Sequence, residues 1–104
     1  MLNITLICHY GASTGMLAKN IQEAAKLRNI EANVHAYGQS ELKRVAPQSD
    51  VILVGPQLKF EQAQMEKAFP EIPFYSIEPL EYGSMNGKKV LENALKTIQT
   101  FKGI

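Results

Sequence analysis

The sequence contains one cysteine, one aspartate and two arginines, and its charges nearly cancel. A single cysteine excludes an internal disulfide and favours a reducing compartment, so we expect a cytoplasmic protein. Eleven lysines and arginines against ten acidic residues leave a formal charge of +1. This balance excludes the dense basic surface that binding to nucleic acids or anionic membranes requires.

Long apolar runs are also missing from the sequence. No run approaches the roughly 20 residues that a membrane-spanning helix needs. The first residues lack the basic flank of a signal peptide. We therefore expect no signal peptide and no direct insertion into a membrane. Histidine, cysteine and acidic residues do not cluster with the spacing of metal ligands, so we expect no metal site.

The composition is that of an ordinary globular domain. Of the 104 residues, 45% are apolar and 20% are charged. This composition argues against intrinsic disorder. This length allows one hydrophobic core and is too short for a second. We therefore predict one domain that spans residues 1–104.

Strand and helix patterns alternate along the chain. An apolar run from Leu2 ends at Cys8, Val51–Val54 is continuously apolar, and residues 74–77 form another short apolar run. Residues 31–36 alternate apolar and polar side chains, which predicts a strand at the edge of a sheet. The periodic segments between the strands predict helices near residues 17–27, 40–46, 58–69 and 87–101.

This β-α-β-α-β-α-β-α order predicts an α/β fold, namely an open four-stranded parallel sheet with helices on both faces. The first and third strands are apolar enough to be central, so we predict the strand order 2-1-3-4. In that order, the connections leave the first and third strands in opposite directions, and a crevice opens at their carboxyl ends. Two loops border this crevice, Cys8–Gly15 and Gly55–Gln57.

Cys8 ends the first strand and precedes a loop suited to an anion. The predicted loop consists of His9, Tyr10, Gly11, Ala12, Ser13, Thr14 and Gly15. Its glycines tolerate backbone angles that other residues resist, and its hydroxyl groups can donate hydrogen bonds and cap a helix. Backbone N–H groups and the helix dipole would then hold a dianion such as phosphate and favour a nucleophilic thiolate. The alternative is a plain strand-to-helix turn in which Cys8 is a small buried hydrophobe.

Two classes of phosphoryl-transfer protein lack essential residues here. A cysteine-dependent phosphatase needs an arginine that closes the loop, but the sixth residue after Cys8 is Thr14, and Arg28 and Arg44 lie in other segments. Loss of such an arginine can be worth roughly 10³-fold or more in rate. Glu78, after the fourth strand, is a candidate acid. A response-regulator receiver is excluded because no aspartate follows the first or third strand. The chain is therefore suited to hold a phosphocysteine rather than to hydrolyse it.

Three motifs stand in register along the chain. Cys-x-x-Gly-x-Ser-Thr runs from Cys8 to Thr14, and Gly-Pro-Gln follows an apolar strand at Gly55–Gln57. A Tyr-Gly pair at Tyr82 is followed by x-x-Asp-Gly-x-x-Val-Leu, with Asn86 in place of the aspartate. Together they resemble the IIB component of the lactose/cellobiose branch of the bacterial phosphoenolpyruvate-dependent sugar phosphotransferase system, over nearly the whole chain.

The resemblance implies a phosphotransferase that works through Cys8. A phosphohistidine of the IIA partner would phosphorylate Cys8, and the phosphocysteine would pass the group to a sugar held by the membrane IIC partner. The sugar would be cellobiose, lactose, chitobiose or a related β-glucoside. The loop through Gly15 would cradle the phosphate, no cofactor would be needed, and the cytoplasmic protein would associate with its permease. The residues alone leave two alternatives, a low-molecular-weight tyrosine-phosphatase-like or arsenate-reductase-like enzyme, and a thiol-based anion or redox sensor.

Four further residues are candidates for the crevice or for partner contacts: Gln57, Phe60, Glu78 and Tyr82. Tyr10 and Tyr82 either line the crevice or are partly buried structural tyrosines. Phe60 lies off the apolar stripe of its helix, and is either an exposed anchor for a partner or packs under the rim of the crevice. His9 is either a proton relay that tunes the thiolate or a solvated neighbour.

Overall fold

Strands and helices alternate along the chain, as the sequence predicts. The computed structural model describes residues 1–9 and 11–103, apart from the side chains of residues 11–13. The elements are β1 (Leu2–Cys8), α1 (Gly11–Leu27), β2 (Ala32–Gly38), α2 (Leu42–Val45), β3 (Val51–Val54), α3 (Gln62–Ala68), β4 (Phe74–Ser76), α4 (Pro79–Gly83) and α5 (Gly87–Lys102). Short 3₁₀ segments flank α2 at Gln39–Glu41 and Ala46–Gln48 and precede α3 at Pro56–Glu61.

The four strands form one parallel sheet in the order β2-β1-β3-β4. This confirms the predicted α/β class and the predicted strand order. Ile4 of β1 pairs with Val51 of β3, and this register continues to Ile7 and Val54. The carboxyl ends of the two central strands therefore lie side by side at one edge of the sheet.

Helices cover both faces of the sheet, as predicted. The larger core lies under α1 and α5 and includes Ile4 and Leu6 of β1. The smaller core lies under α2 and α3 and includes Ile7 of β1 together with Ile52. Side chains alternate between the two faces of a strand, so β1 contributes to both cores. Within the described residues, none of these helices is long and apolar enough to cross a membrane.

β2 is an edge strand, as its alternating sequence predicts. Ala32 and Val34 are buried, whereas Asn33 and His35 are exposed. The side-chain amide of Gln22, on α1, bonds to the backbone of this strand: its Nε2 donates to Ala32 O at 2.7 Å, and its Oε1 accepts from Val34 N at 3.1 Å. Gln22 thus occupies two backbone groups of β2 in the way that a neighbouring strand would.

Helix α1 begins at Gly11, earlier than the sequence indicates. The predicted loop His9–Gly15 is therefore wrong as a loop from Gly11 onward, because that part forms the first turn of α1. Glycine, serine and threonine have low helix propensity, which favours a later start. The first turn nevertheless tolerates such residues, since its N–H groups have no intrahelical partner. Leu27, the last residue of α1, is 77% exposed.

Helix α4 is absent from the predicted pattern, since it has only five residues. Helix α5 begins at Gly87, as predicted, and Asn86 caps it by accepting a hydrogen bond from Lys89 N at 3.1 Å. At Gly87, α5 comes so close to α1 that a Cβ would lie 2.4 Å from the backbone carbonyl carbon of Asn20. Phe101, in the last turn of α5, is 48% exposed.

Candidate active site

Cys8 is the last residue of the central strand β1, and its side chain is 2% exposed. The backbone of Gly55, just after β3, bonds to Ile7 O at 2.9 Å. This bond brings the end of β3 beside the cysteine. A Cβ at position 55 would lie 3.1 Å from Cys8 Sγ, which is tighter than ordinary contact. The glycine therefore keeps the space beside the sulfur open.

Gln57 is the first of two described polar side chains that reach the sulfur. It lies in the 3₁₀ segment after β3, and its Oε1 accepts a hydrogen bond from Cys8 Sγ at 3.3 Å. Gln57 is an exposed residue, so its side chain connects the buried thiol to the surface. The predicted crevice contact at Gln57 is thus next to the cysteine.

Tyr82 is the second, and it comes from α4. Its Oη lies 3.6 Å from Cys8 Sγ and 3.4 Å from Thr14 Oγ1, within hydrogen-bonding distance of both. Thr14 is fully buried in α1, and Tyr82 is half-buried. Segments that follow β1, β3 and β4 therefore each bring a polar group to one spot at the carboxyl edge of the sheet.

The predicted phosphate loop also includes residues on both sides of Gly11. His9 is exposed and follows Cys8 directly. Tyr10 lies outside the described residues, and only the backbone is described for Gly11, Ala12 and Ser13. Gly15 lies in α1, and a Cβ there would meet nothing within 4 Å. The expectation that Gly15 serves for its special backbone angles is therefore wrong.

Phe60 and Glu78 are exposed on the segments that follow β3 and β4. Phe60 is 94% exposed, which rules out the alternative that it packs under the rim. Glu78 is exposed at the N-cap position of α4, and its backbone N–H donates to Oε1 of Glu81 at 3.2 Å. Glu78 is thus the N-cap residue of a capping box whose other member is Glu81.

Exposed apolar side chains follow the same three strands. Met16, on α1 after β1, is 61% exposed, and Leu80, on α4 after β4, is 87% exposed. Phe60, after β3, is the third. Large exposed apolar groups at the carboxyl edge of the sheet are typical of a surface that another protein covers. We call Met16, Phe60 and Leu80 the apolar rim.

Sequence reasoning missed a polar cluster formed by the buried Glu81 and the half-buried Tyr75 and Asn93. Glu81 is 8% exposed, and its carboxyl group accepts from Tyr75 Oη at 2.8 Å and from Asn93 Nδ2 at 2.6 Å. Burial, followed by the bond to Glu81 and its charge, raises the pKa of Tyr75 well above the ordinary value. A signal was present, because Glu-Pro-x-Glu from Glu78 resembles a capping box with proline at the first helical position.

The fold and the site together define an open α/β protein with a buried cysteine at the carboxyl edge of its parallel sheet. Residues 3–93 match the family described as "PTS system, Lactose/Cellobiose specific IIB subunit". The chain therefore belongs to this family of phosphotransferase components of the sugar phosphotransferase system. The resemblance and the enzyme class predicted from the sequence are both confirmed.

Similar proteins support the same assignment. The chain is 34% identical over 97 residues to the oligo-beta-mannoside-specific EIIB component of Bacillus subtilis (strain 168), covering 91% of this chain and 94% of that protein. It is 31% identical over 98 residues to the galactose-specific EIIB component of Lactococcus lactis subsp. cremoris (strain MG1363), covering 88% and 91%. The solution structure of the cellobiose-specific IIB component from Borrelia burgdorferi is 38% identical, with a TM-score of 0.78 over 95% of this chain and 93% of that one.

Proposed function

We propose that Cys8 accepts a phosphoryl group from a phosphohistidine of a IIA partner and transfers it to a sugar held by a membrane IIC partner. The observation that carries the proposal is the placement of Cys8 Sγ, 3.3 Å from the Gln57 amide oxygen and 3.6 Å from the Tyr82 hydroxyl. These groups surround a nucleophile at a strand end, where open α/β sheets bind their ligands.

Both transfer steps are displacements at phosphorus. In the first, Sγ attacks the phosphorus, the S–P bond forms and the P–N bond breaks. The imidazole nitrogen keeps the electron pair and takes up the proton that the thiol gives up. In the second, a sugar hydroxyl oxygen attacks the same phosphorus, the S–P bond breaks, and the sulfur keeps the pair and regains a proton from the hydroxyl. Neither step involves oxidation, so the reaction as proposed needs no cofactor.

The segment from His9 to Gly15 is proposed to hold the phosphoryl oxygens. Because α1 begins at Gly11, the positive end of its dipole comes within a few residues of the sulfur. Thr14 and Tyr82 add hydroxyl groups, and the Tyr82 hydroxyl lies 3.6 Å from the sulfur. Catalysis is then positioning and electrostatic stabilisation, which is what phosphoryl transfer mainly requires.

The placement of the arginines favours a carrier over a hydrolase. Arg28 follows the carboxyl end of α1, about 25 Å along a 17-residue helix from the end near Cys8. Arg44, on α2, is bonded to Glu41 at 2.6 Å and lies over the ring of Tyr37. Neither is set to clamp a phosphoryl group on Cys8, so a phosphocysteine would persist until a partner removes it.

The apolar rim is proposed as the surface on which the partners dock. Met16, Phe60 and Leu80 are exposed on three separate elements that follow β1, β3 and β4, and a partner that covers them together with Cys8 would exclude water from the transfer. The proposed location is the cytoplasmic side of the permease. The sugar is proposed to be a β-linked disaccharide or β-glucoside such as cellobiose, lactose or chitobiose. The relatives differ in the sugar that they are named for.

The test is acceptance of one phosphoryl group by Cys8. The protein is mixed with a lactose/cellobiose-type IIA protein that carries phosphohistidine, and intact-mass and peptide mass spectrometry locate the label. We expect one group on Cys8, and none on Cys8→Ser. Equal labelling of Cys8→Ser would overturn the proposal. Rapid hydrolysis of an aryl phosphate by the isolated protein would favour the phosphatase-like alternative, and selective oxidation of Cys8 without phosphoryl acceptance would favour the sensor.

A further inference from the structure

Glu81 is a buried carboxyl group that the proposed transfer steps do not use. Its Oε1 accepts from Tyr75 Oη at 2.8 Å and from Glu78 N at 3.2 Å, and its Oε2 accepts from Asn93 Nδ2 at 2.6 Å. Asn93 Nδ2 also donates to Tyr75 Oη at 2.9 Å. None of the ion pairs among the described residues includes Glu81. Directed, uncharged donors therefore hold this group, rather than a cation.

These bonds join three elements at one point. Tyr75 belongs to β4, Glu81 to α4 and Asn93 to α5. A helix of five residues such as α4 is far too short to be stable by itself. The position of α4 therefore depends on its contacts with other elements. The buried Glu81 carboxyl group links α4 to the sheet through Tyr75 and to α5 through Asn93.

The residue that follows Glu81 is Tyr82. Successive helical residues point about 100° apart, so one side chain of α4 is directed between β4 and α5 while the next is directed toward Cys8. The Tyr82 hydroxyl lies 3.6 Å from the sulfur, which leaves little tolerance for movement of α4. A shift of about 1 Å is enough to break a hydrogen bond of this kind.

We infer that Glu81 is a positioning residue that, through Tyr75 and Asn93, fixes α4 and so holds the Tyr82 hydroxyl against the sulfur of Cys8. We call this set of three residues the Glu81 clamp. A fully bonded carboxyl group sets the orientation of its neighbours more strictly than apolar contact does. As a statement about phosphoryl transfer, the inference rests on the proposed function. As a statement about the Cys8–Tyr82 geometry, it stands apart from that function.

The experiment compares Glu81→Ala, Glu81→Gln and Tyr82→Phe, with Glu81→Ala also made in the Tyr82→Phe background. Single-turnover phosphorylation by a phosphohistidine-carrying IIA protein gives the maximal rate and the donor concentration at half-maximal rate. Alkylation of Cys8 by iodoacetamide gives a second rate that needs no phosphodonor. Thermal unfolding of each variant confirms that it is folded at the assay temperature.

If the clamp acts through Tyr82, Glu81→Ala and Tyr82→Phe each lower the maximal rate by about tenfold, the size of one lost hydrogen bond to a charged group. The half-saturating donor concentration stays unchanged. Glu81→Ala has no further effect in the Tyr82→Phe background, because the hydroxyl that it positions is already gone. Glu81→Gln recovers most of the rate, since its amide can accept from Tyr75 and donate to a reoriented Asn93.

The inference would be overturned if the effects of Glu81→Ala and Tyr82→Phe on the maximal rate multiplied in the double variant. It would also be overturned if Glu81→Ala left the maximal rate unaltered. If Glu81→Ala does not fold, Tyr75→Phe takes its place, because it removes a single donor to the same carboxyl group. If the wild-type protein accepts no phosphoryl group, the proposed function fails. The alkylation rates of Cys8 then test the Glu81 clamp. Equal changes in Glu81→Ala, in Tyr82→Phe and in the double variant support it. Rates that match the wild type in all three variants reject it.

Discussion

The amide oxygen of Gln57 accepts a hydrogen bond from the sulfur of Cys8 at 3.3 Å. The thiol donates its proton to this acceptor, whereas a phosphorylated sulfur has no proton to offer. A side-chain amide carries an acceptor and two donors, so rotation of the Gln57 amide would present its NH₂ group to a phosphoryl oxygen. Gln57 is therefore suited to both states of the cysteine.

Replacing this amide by a carboxylate is expected to impair the site. In Gln57→Glu, a negative charge beside the sulfur disfavours both the thiolate and the phosphoryl dianion. We expect Cys8 alkylation to reach half its maximal rate at a more alkaline pH, and phosphorylation to slow by about tenfold or more. Gln57→Met, of similar length and uncharged, is the control. Faster alkylation of Gln57→Glu at neutral pH would contradict this account.

A methyl group at position 55 is expected to disturb the same contact. Its Cβ would lie 2.7 Å from Gln57 Oε1 and 3.1 Å from Cys8 Sγ. Gly55→Ala should therefore displace the amide and slow phosphorylation of Cys8 by about tenfold, with a stability loss of about 1 to 3 kcal/mol from overpacking. Gly38→Ala is the matched control, because a Cβ there meets nothing within 4 Å and the backbone φ is −73°. Equal rates in the two variants would show that Gly55 is not needed for space.

The apolar rim is expected to affect docking and not folding. Phe60 is 94% exposed, so Phe60→Ala should change the free energy of unfolding by no more than about 0.5 kcal/mol. If Phe60 anchors a partner, the same variant should raise the half-saturating concentration of phosphorylated IIA protein by about tenfold. Leu27→Ala removes a 77% exposed side chain at the far end of α1 and serves as the control. An unchanged half-saturating concentration for Phe60→Ala would exclude it as an anchor.

The close approach of α1 and α5 makes Gly87 a stability determinant. A Cβ there would lie 2.4 and 2.5 Å from the carbonyl carbon and oxygen of Asn20, and backbone atoms cannot rotate away as a side chain can. Gly87→Ala should destabilise the protein by about 1 to 3 kcal/mol or more, measured by urea unfolding. Gly83→Ala, where a Cβ meets nothing within 4 Å, should stay within about 0.5 kcal/mol of the wild type. Similar midpoints for the two variants would refute the packing argument.

Tyr75 makes stability depend on pH in the alkaline range. Its pKa is raised in the folded protein above the ordinary value of 10.0, by burial first and then by Glu81. The neutral phenol is favoured by folding, so its stabilisation is complete below that ordinary value and is lost as the pH rises toward the higher pKa of the folded state. Between about pH 9 and about pH 11, the free energy of unfolding should fall less steeply for Tyr75→Phe than for the wild type. Parallel slopes in urea titrations would contradict the assignment.

The strand order of the sheet could be predicted from the sequence, because central and edge strands differ in their pattern of apolar residues. A continuously apolar run such as Val51–Val54 fits only a central strand, and the alternation around Val34 fits only an edge. The sequence was insufficient for the start of α1 and for α4. Gly11 has low helix propensity, and α4 has five residues whose place depends on contacts elsewhere.

The candidate site, like the fold, could be predicted only in part. Cys8 and Gln57 could be predicted because Cys8 is the last residue of β1 and Gln57 comes soon after the end of β3. The Glu81 clamp could not, because Tyr75, Glu81 and Asn93 become neighbours only when β4, α4 and α5 pack together. Local patterns carry no information about which of many polar side chains will meet in a core.

The hydrogen bonds from the Gln22 side chain of α1 to the backbone of β2 affect how another copy of this protein could pair with that strand. An extended segment that approached this edge would have to displace the bonds to Ala32 O and Val34 N. Intermolecular strand addition would therefore begin with the loss of two hydrogen bonds already made within the chain. The helix that lies on one face of the sheet thereby also shields this part of its open border from strand exchange and fibril growth.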